Sequence, residues 1–226
     1  MLMLALESSA KPASVAVISD GKLLGQYFQN SGLTHSRTLM AMAESLLKNL
    51  DITIGDIGLV AVARGPGSFT GVRIGVSAAK GLAFGLGVPV CGVSTLDAMT
   101  CQTDVSDMLL CPVMDARRSQ VYNALFEWRD GIIVRLCNDR ALSLENLAAD
   151  LKNHNRPCML VGDGAGIALE YLSAQDIPCQ IAPELMRFQT AYGVALAATR
   201  TDPIPAIELE PSYLRPSQAE RMLNNS

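Results

Sequence analysis

The sequence predicts an α/β fold of two lobes, each a mixed sheet flanked by helices. Three observations predict it. The chain opens with three strand-like runs, two of them joined by Asp20-Gly21, a pair typical of tight hairpin turns. A strand, a glycine-rich loop, a helix and another strand follow over residues 57–93, the order of a βαβ unit. A similar pattern begins near residue 108, with a second turn at Asp130-Gly131.

The composition is that of a globular protein with a substantial core. Of 226 residues, 49% are hydrophobic and 18% are charged, which excludes a disordered chain. The formal net charge of −4 is opposite to the basic footprint by which a stand-alone nucleic-acid binder neutralises phosphates. We therefore expect any contact with nucleic acid to be indirect.

The sequence carries no signal of membrane insertion or of a metal centre. The longest stretch without a charge, residues 81–96, is short and is interrupted by glycines and Pro89. The N-terminus has no basic leader, so we expect a cytoplasmic protein that does not contact a membrane. The six cysteines form no CxxC pair, and His35 and His154 lie too far apart for an HxxxH motif. We expect no metal ligands.

The first half contains the clearest elements. Strand-like runs at residues 2–6, 14–18 and 22–28 predict an antiparallel meander. A helix is expected over residues 36–50, with Thr34 as its N-cap. Its apolar residues cover an arc of about 160°, wider than the roughly 100° that one core requires. The excess suggests a second contact surface.

The helix predicted over residues 72–86 has two faces. One is a conventional core stripe, and the other is a row of small residues that lets a second helix approach closely. This row indicates either a helix pressed between elements of its own domain or a surface shared with a partner. With the wide arc of residues 36–50, it defines a candidate partner or dimer interface: Leu39, Met40, Met42, Ala43, Leu46, Ile74, Ala78, Gly81 and Gly85.

The second half repeats the opening pattern. One continuous strand is expected at residues 120–128, and the other elements are strands at residues 108–114, 132–137 and 158–161 and helices at residues 144–153, 167–173 and 190–200. The best boundary between the two patterns lies within residues 101–107. We therefore expect an N-terminal lobe at residues 1–104 and a C-terminal lobe at residues 105–226.

This duplicated layout resembles that of actin-like, sugar-kinase-like and Hsp70-like ATPases, the ASKHA group with ribonuclease H-like lobes. In that architecture a nucleotide lies between the lobes, with carboxylates at strand ends holding metal. The corresponding residues are Glu7 and Ser8 after the first strand, and Asp115 after the first strand of the second half. An acid at a strand end is also a common turn or cap residue, so both interpretations stand.

The densest glycine feature is the loop at residues 65–71. It precedes a helix N-terminus, where backbone N–H groups favour anions, which makes the following residues candidates for anion or nucleotide binding: Gly65, Gly67, Ser68, Thr70 and Gly71. No lysine follows the last glycine, so the loop is not a P-loop. A tight turn with an N-cap by Ser68 or Thr70 explains the same residues without a ligand.

Residues 65–75, GPGSFTGVRIG, resemble the TsaB (YeaZ) family, the catalytically degenerate members of the TsaD/Kae/glycoprotease-like group of actin-like proteins. Matching stretches are LALESS, GVSTL, MDAR and PSYLR at residues 4–9, 92–96, 114–117 and 211–215. Two positions depart from the family. Glu7 stands where the family often has Asp, and Gln120 lies near the place of an acid.

The resemblance implies a non-catalytic subunit in the formation of N6-threonylcarbamoyladenosine on tRNA. A TsaD-type paralogue would transfer the threonylcarbamoyl group, and a TsaE-type ATPase would supply turnover. This chain would act as a scaffold for TsaD and, when alone, would pair as a homodimer through helices of its N-terminal lobe. The resemblance implies no cofactor of its own, with ATP or ADP bound only in the complex. TsaD's HxxxH metal pair has no counterpart here.

Two alternatives come from other classes of protein. The first is an actin-like ATPase or small-molecule kinase that uses Asp115 and the loop at residues 65–71. The second is a peptidase, which the older glycoprotease label suggests.

Overall fold

A computed structural model describes residues 1–103, 107–117 and 119–215 of the chain. Its strands form two mixed sheets flanked by helices, which confirms the predicted α/β class. The predicted boundary between residues 104 and 105 lies outside the described residues and stays a prediction. Among the described residues, none of the helices combines the length and apolar character needed to cross a membrane.

The first sheet consists of five strands: β1 (Leu2–Glu7), β2 (Ala13–Ser19), β3 (Lys22–Gln29), β4 (Ile57–Ala63) and β5 (Val90–Val93). Their spatial order is β3-β2-β1-β4-β5. The first three strands are antiparallel as predicted, and β4 and β5 are parallel to β1. Asp20 and Gly21 have φ angles of 49° and 82°, the positive values that a tight hairpin turn requires.

The α-helices of the described residues are α1 (His35–Asn49), α2 (Phe69–Leu86), α3 (Thr95–Thr100), α4 (Leu144–His154), α5 (Ala165–Ser173), α6 (Glu184–Arg187) and α7 (Ala191–Ala198). Helices α1 and α2 pack on one face of the first sheet, against Leu4, Leu6 and Val62 among others. Helix α2 begins three residues earlier than expected, because Ser68 is its N-cap and accepts a hydrogen bond from the Gly71 N–H.

The other face of the first sheet is covered by α7, from the far end of the chain. Its residues Ala191, Val194 and Ala195 are fully buried against β1, β2 and β4. The sequence assigned all of residues 105–226 to the second lobe, whereas α7 packs with the first. The reason is physical: both faces of the central strands are apolar, and a sheet with two apolar faces needs a layer on each.

The second sheet repeats the plan of the first. Its strands are β6 (Leu109–Asp115), β7 (Gln120–Asn123), β8 (Phe126–Arg129), β9 (Ile132–Arg135), β10 (Arg140–Ser143), β11 (Cys158–Val161) and β12 (Cys179–Ile181). The order β10-β7-β6-β11-β12 corresponds position by position to the first sheet, and β8 and β9 form an added hairpin beside β6. Helices α4 and α5 pack on one face.

The continuous strand expected at residues 120–128 is wrong, because β7 and β8 are separate. β6 pairs with β8 at Leu109 and Leu110 and with β7 from Val113 onward. Pro112 lies in β6 between these two paired segments, and it has no N–H to donate to the hydrogen bonds of the sheet. The buried Asn123 side chain takes over at the break and donates hydrogen bonds to the carbonyls of Pro112 (3.0 Å) and Ala124 (2.9 Å).

We predict that Asn123→Leu lowers the free energy of unfolding by about 2–4 kcal/mol, measured by urea denaturation. The side-chain oxygen of Asn123 also accepts a hydrogen bond from Arg140 (2.9 Å). The substitution therefore leaves buried polar groups without partners. The control is Asn153→Leu on the exposed side of α4, which should change stability by no more than about 0.5 kcal/mol. Equal effects at both positions would contradict this role for Asn123.

Candidate functional site

A cleft of about 550 Å³ lies between the two sheets. The turn between β1 and β2, the glycine loop, the end of β6 and the segment after Leu209 supply its walls. Three predicted residues, Gly67, Ser68 and Asp115, line this cleft. Others lie elsewhere: Glu7, Ser8, Gly65 and Gly71 are buried, and Thr70 is exposed at the start of α2.

The glycine loop is packed backbone against backbone. A Cβ atom on Gly67 would lie 2.4 Å from the carbonyl oxygen of Ser9, and one on Gly71 would lie 2.1 Å from that of Ser8. The Ser68 N–H donates to the Ser9 carbonyl (2.7 Å), and Ser8 Oγ donates to the Gly71 carbonyl (2.9 Å). The glycines are therefore required for close approach to the β1–β2 turn, which accounts for them without a phosphate.

Gly65 makes a similar contact with the end of the chain. Its φ is +117°, and a Cβ atom there would lie 2.3 Å from the Ser212 carbonyl oxygen. The Ser212 N–H in turn donates to the Arg64 carbonyl (2.7 Å). The loop thus joins the β1–β2 turn on one side to residues 209–215, here called the C-terminal strap, on the other.

The strap is the part of the site that the sequence analysis did not assign a role. Tyr213 packs against Phe69 with ring centroids 4.9 Å apart, and its hydroxyl accepts from Arg73 Nε (2.9 Å). Arg215 then crosses to the second lobe and donates to the Ala116 carbonyl (2.8 Å). The PSYLR stretch at residues 211–215, with its aromatic and basic residues, was the available signal.

Three carboxyl groups surround the floor of the cleft. Glu7 is fully buried, its Oε1 accepts from the Ser9 N–H (2.5 Å), and its Oε2 has no partner in the described structure. Burial, with a smaller contribution from the charge of Asp163, raises the pKa of Glu7 to about 7. Asp163 is reached by solvent from the cleft, yet surrounding protein atoms raise its pKa as well.

The carboxyl groups do not fit the metal site that the fold class implies. Asp115 is engaged by the Arg117 N–H (2.7 Å) and guanidinium (3.4 Å), and Asp163 accepts from Gln189 Nε2 (3.0 Å). Within residues 1–103, 107–117 and 119–215, no three His, Cys, Asp or Glu side chains are grouped to hold a metal ion. A buried Glu7 with a raised pKa is a poor ligand, because metal binding needs the ionised carboxylate.

The predicted helix interface divides between core and surface. Leu39, Met42, Ala43 and Leu46 are buried in the core of the first lobe, which corrects their assignment to a partner surface. Most of the wide apolar arc of α1 packs against the sheet beneath it. Other predicted positions do reach the surface: Met40 is 41% exposed, Gly81 and Gly85 are exposed, and Ile74 and Ala78 are partly buried.

Met40, one of the exposed predicted residues, lines an apolar groove of about 500 Å³. Its lining includes Met40, Leu47, Ile54 and Leu82, contributed by α1, α2 and the short 3-10 helix Ile54–Asp56. Beside it, a Cβ atom on Gly81 or Gly85 would meet nothing within 4 Å. Phe84, which the sequence analysis missed, is 79% exposed on the same helix. The name α1–α2 face is used below for Met40, Ile54, Gly81, Phe84 and Gly85.

Two sheets of the same strand order, each covered by helices and separated by a cleft, give this chain an actin-like (ASKHA) fold. Residues 29–185 match the family model of TsaD, tRNA N6-adenosine threonylcarbamoyltransferase. TsaB of Bacillus subtilis, a tRNA threonylcarbamoyladenosine biosynthesis protein, is 34% identical over 72% of this chain and 71% of its own. TsaB of Haemophilus influenzae is 30% identical over 95% and 94%.

The structural comparison agrees with the sequence comparisons. YeaZ from Pseudomonas aeruginosa superposes with a TM-score of 0.79 at 25% identity, covering 94% of this chain and 99% of that one. The chain belongs to the TsaB (YeaZ) family, as the glycine-loop motif predicted.

We predict that Glu7→Gln removes a pH-dependent loss of stability. Protonated Glu7 is favoured in the folded state, so its contribution is complete below pH 4.5 and is lost as pH rises to about 7. The wild type should lose about 3 kcal/mol over this range relative to Glu7→Gln, measured by urea denaturation at several pH values. Glu44→Gln, at an exposed carboxyl of α1, is the control and should follow the wild type.

A second prediction concerns the glycine contacts. Gly71→Ala should lower the free energy of unfolding by about 2–4 kcal/mol, because its Cβ would overlap the Ser8 carbonyl. Gly81→Ala in the same helix has open space around it and should raise stability by about 0.5–1 kcal/mol. Chemical denaturation of both variants tests the difference, and a neutral Gly71→Ala would refute the packing argument.

Proposed function

We propose that this chain is a non-catalytic scaffold that binds and activates a TsaD-type paralogue during the formation of N6-threonylcarbamoyladenosine on tRNA. A TsaE-type ATPase completes the assembly, and the isolated chain forms a homodimer. ATP or ADP binds only in that complex, tRNA is contacted indirectly, and the assembly works in the cytoplasm. The observation that carries the proposal is the α1–α2 face.

The α1–α2 face has the chemistry of a helix-on-helix contact. Met40, Ile54 and Phe84 are large apolar side chains with substantial exposure, a combination that marks interaction surfaces. Gly81 and Gly85 stand one turn apart with nothing in front of them, so a second helix can approach the α2 backbone closely. The groove beside Leu82 offers room for a protruding apolar side chain.

The nature of the partner follows from the relationship to TsaD. The match to the TsaD family model covers residues 29–185, which include all of α1 and α2. A TsaD-type chain therefore has counterparts of both helices. A self-complementary face that pairs two copies of this chain can also pair one copy with a homologous chain. Homodimer and heterodimer then compete for one surface.

The cleft supports a role other than catalysis. Its glycine loop is filled by the backbone of Ser8 and Ser9, and Glu7 is enclosed beneath the floor. His35 Nε2 is engaged with the Ala10 carbonyl oxygen (2.7 Å), and His154 lies at the end of α4 in the other lobe. The two histidines lie in different lobes and do not form a pair, so the HxxxH arrangement of TsaD has no structural counterpart in these two residues.

We predict that Gly81→Glu strongly weakens binding to the TsaD-type protein of the same organism. The carboxylate would be desolvated in the interface without a partner, which should weaken binding at least about 100-fold. Size exclusion with light scattering, with and without ATP, measures the complex. Gly166→Glu is the matched control, since Gly166 is an exposed glycine of α5 in the other lobe with nothing within 4 Å of a Cβ atom.

Other outcomes would overturn the proposal in distinct ways. Full co-elution of both Gly81→Glu and Met40→Glu would place the interface elsewhere. No association of the wild type under either condition would remove the scaffold role. Tight ATP binding by the isolated chain, with hydrolysis lost in Asp115→Asn, would instead indicate the actin-like ATPase or kinase.

A further inference from the structure

The second sheet brings three cysteines together. Cys111 lies in β6, Cys158 in β11 and Cys179 in β12, three strands that are direct neighbours. Their side chains share the face of the sheet that packs under α4 and α5. All three are free thiols. Far apart in sequence, they form no recognisable motif, and the proposed function does not use them.

The strand register sets which two cysteines can be joined. Cys158 is the direct partner of Cys179 in a parallel pair. Neighbouring strands lie about 4.8 Å apart, which is within the roughly 4.4–6.8 Å Cα separation that a disulfide spans. Cys111 is paired with Leu160, two residues further along β11. Strand spacing and rise then place it about 8 Å from Cys158, beyond that reach.

Solvent exposure also distinguishes the two cysteines. Cys158 is fully buried, whereas Cys179 lies on the edge strand β12 and is partly exposed. A small oxidant can therefore reach Cys179 first, and the buried thiol beside it is positioned to resolve the product. The pair thus shares with a redox-sensing site an accessible cysteine next to a second cysteine that can resolve its sulfenic acid.

We propose that Cys158 and Cys179 form a reversible disulfide when the protein meets hydrogen peroxide. The Cys179 sulfur attacks one peroxide oxygen and the O–O bond breaks, giving a sulfenic acid and one water. The Cys158 sulfur then attacks Cys179 Sγ, the S–O bond breaks, and the departing hydroxide takes the Cys158 proton as a second water. Two thiols are oxidised and one peroxide is reduced.

The electrostatic surroundings of Cys158 favour the second step. The neighbouring thiols of Cys111 and Cys179 lower the pKa of Cys158, which increases the fraction of attacking thiolate. Burial raises the pKa of Cys179, so its reaction with peroxide accelerates with rising pH.

The disulfide would fix the edge of the second sheet. β12 leads through α6 to Gln189, whose side chain donates to Asp163 at the cleft. Tying β12 covalently to β11 therefore restrains the segment that supports Asp163. The site lies in the second lobe, away from the α1–α2 face, so the inference stands whether or not the proposed partner binds.

The test is peroxide treatment of the folded full-length protein, followed by alkylation and intact mass measurement under denaturing, non-reducing conditions. We expect the treated protein to carry two fewer alkyl groups than the untreated one and to lack a further 2 Da or so for the two lost hydrogens, both changes being reversed by dithiothreitol before alkylation, with peptide mapping joining Cys158 to Cys179. Cys179→Ser and Cys158→Ala should each abolish the cross-link. Cys101→Ser, which removes a partly exposed cysteine of the first lobe, is the matched control and should keep it.

Three results would overturn the inference. They are a gain of about 32 Da at Cys179 in place of the cross-link, a cross-link between other cysteines, or one that persists in Cys179→Ser. Circular dichroism of each variant checks that the fold is retained. Both Cys158→Ala and Cys158→Ser should lack the bond. Because alanine suits the apolar site, absence of the bond in a folded Cys158→Ala variant reports loss of the sulfur and not a folding defect.

Discussion

The contact on which the rest of this structure depends is the apposition of two backbones, the glycine loop and the β1–β2 turn. Gly67 and Gly71 bring the loop within a few ångströms of the Ser8 and Ser9 carbonyls, closer than any side chain would allow. The same loop caps α2 through Ser68 and holds the C-terminal strap at Gly65. One packed turn therefore fixes the start of α2, one wall of the cleft and the path of the strap.

Sequence patterns predicted those features that local rules decide and missed those that distant parts of the chain decide. The meander, the βαβ unit and the Ser68 cap follow from neighbouring residues and are confirmed. Pro112 could have predicted the break between β7 and β8, but its effect acts through pairing with a later strand. The packing of α7 on the first sheet carries no local signal at all, since an alanine-rich helix suits either lobe.

The candidate site shows the same limit. Composition and spacing identified the glycine loop and the small-residue row, yet the same letters fit a phosphate cradle and a packed turn equally well. Only the position of Ser8 and Ser9 distinguishes them. For α1, the apolar arc revealed how much surface is hydrophobic, but the division between the core at Leu39 and the exterior at Met40 depends on where the sheet lies. The hydrophobic pattern of a helix indicates how much of its surface is buried, but it does not identify the element against which that surface packs.

The return of α7 to the first sheet has a consequence for synthesis on the ribosome. β1 through β5 emerge early, but one apolar face of their sheet stays uncovered until α7 has left the exit tunnel. Ala206 and Leu209, which close the other core, follow later still. The amino-terminal lobe therefore cannot complete its folding before α7 has been synthesised, whereas an independent domain can fold as soon as its own residues have emerged. Until α7 is made, the apolar residues of β1, β2 and β4 that it covers in the folded protein are exposed to solvent.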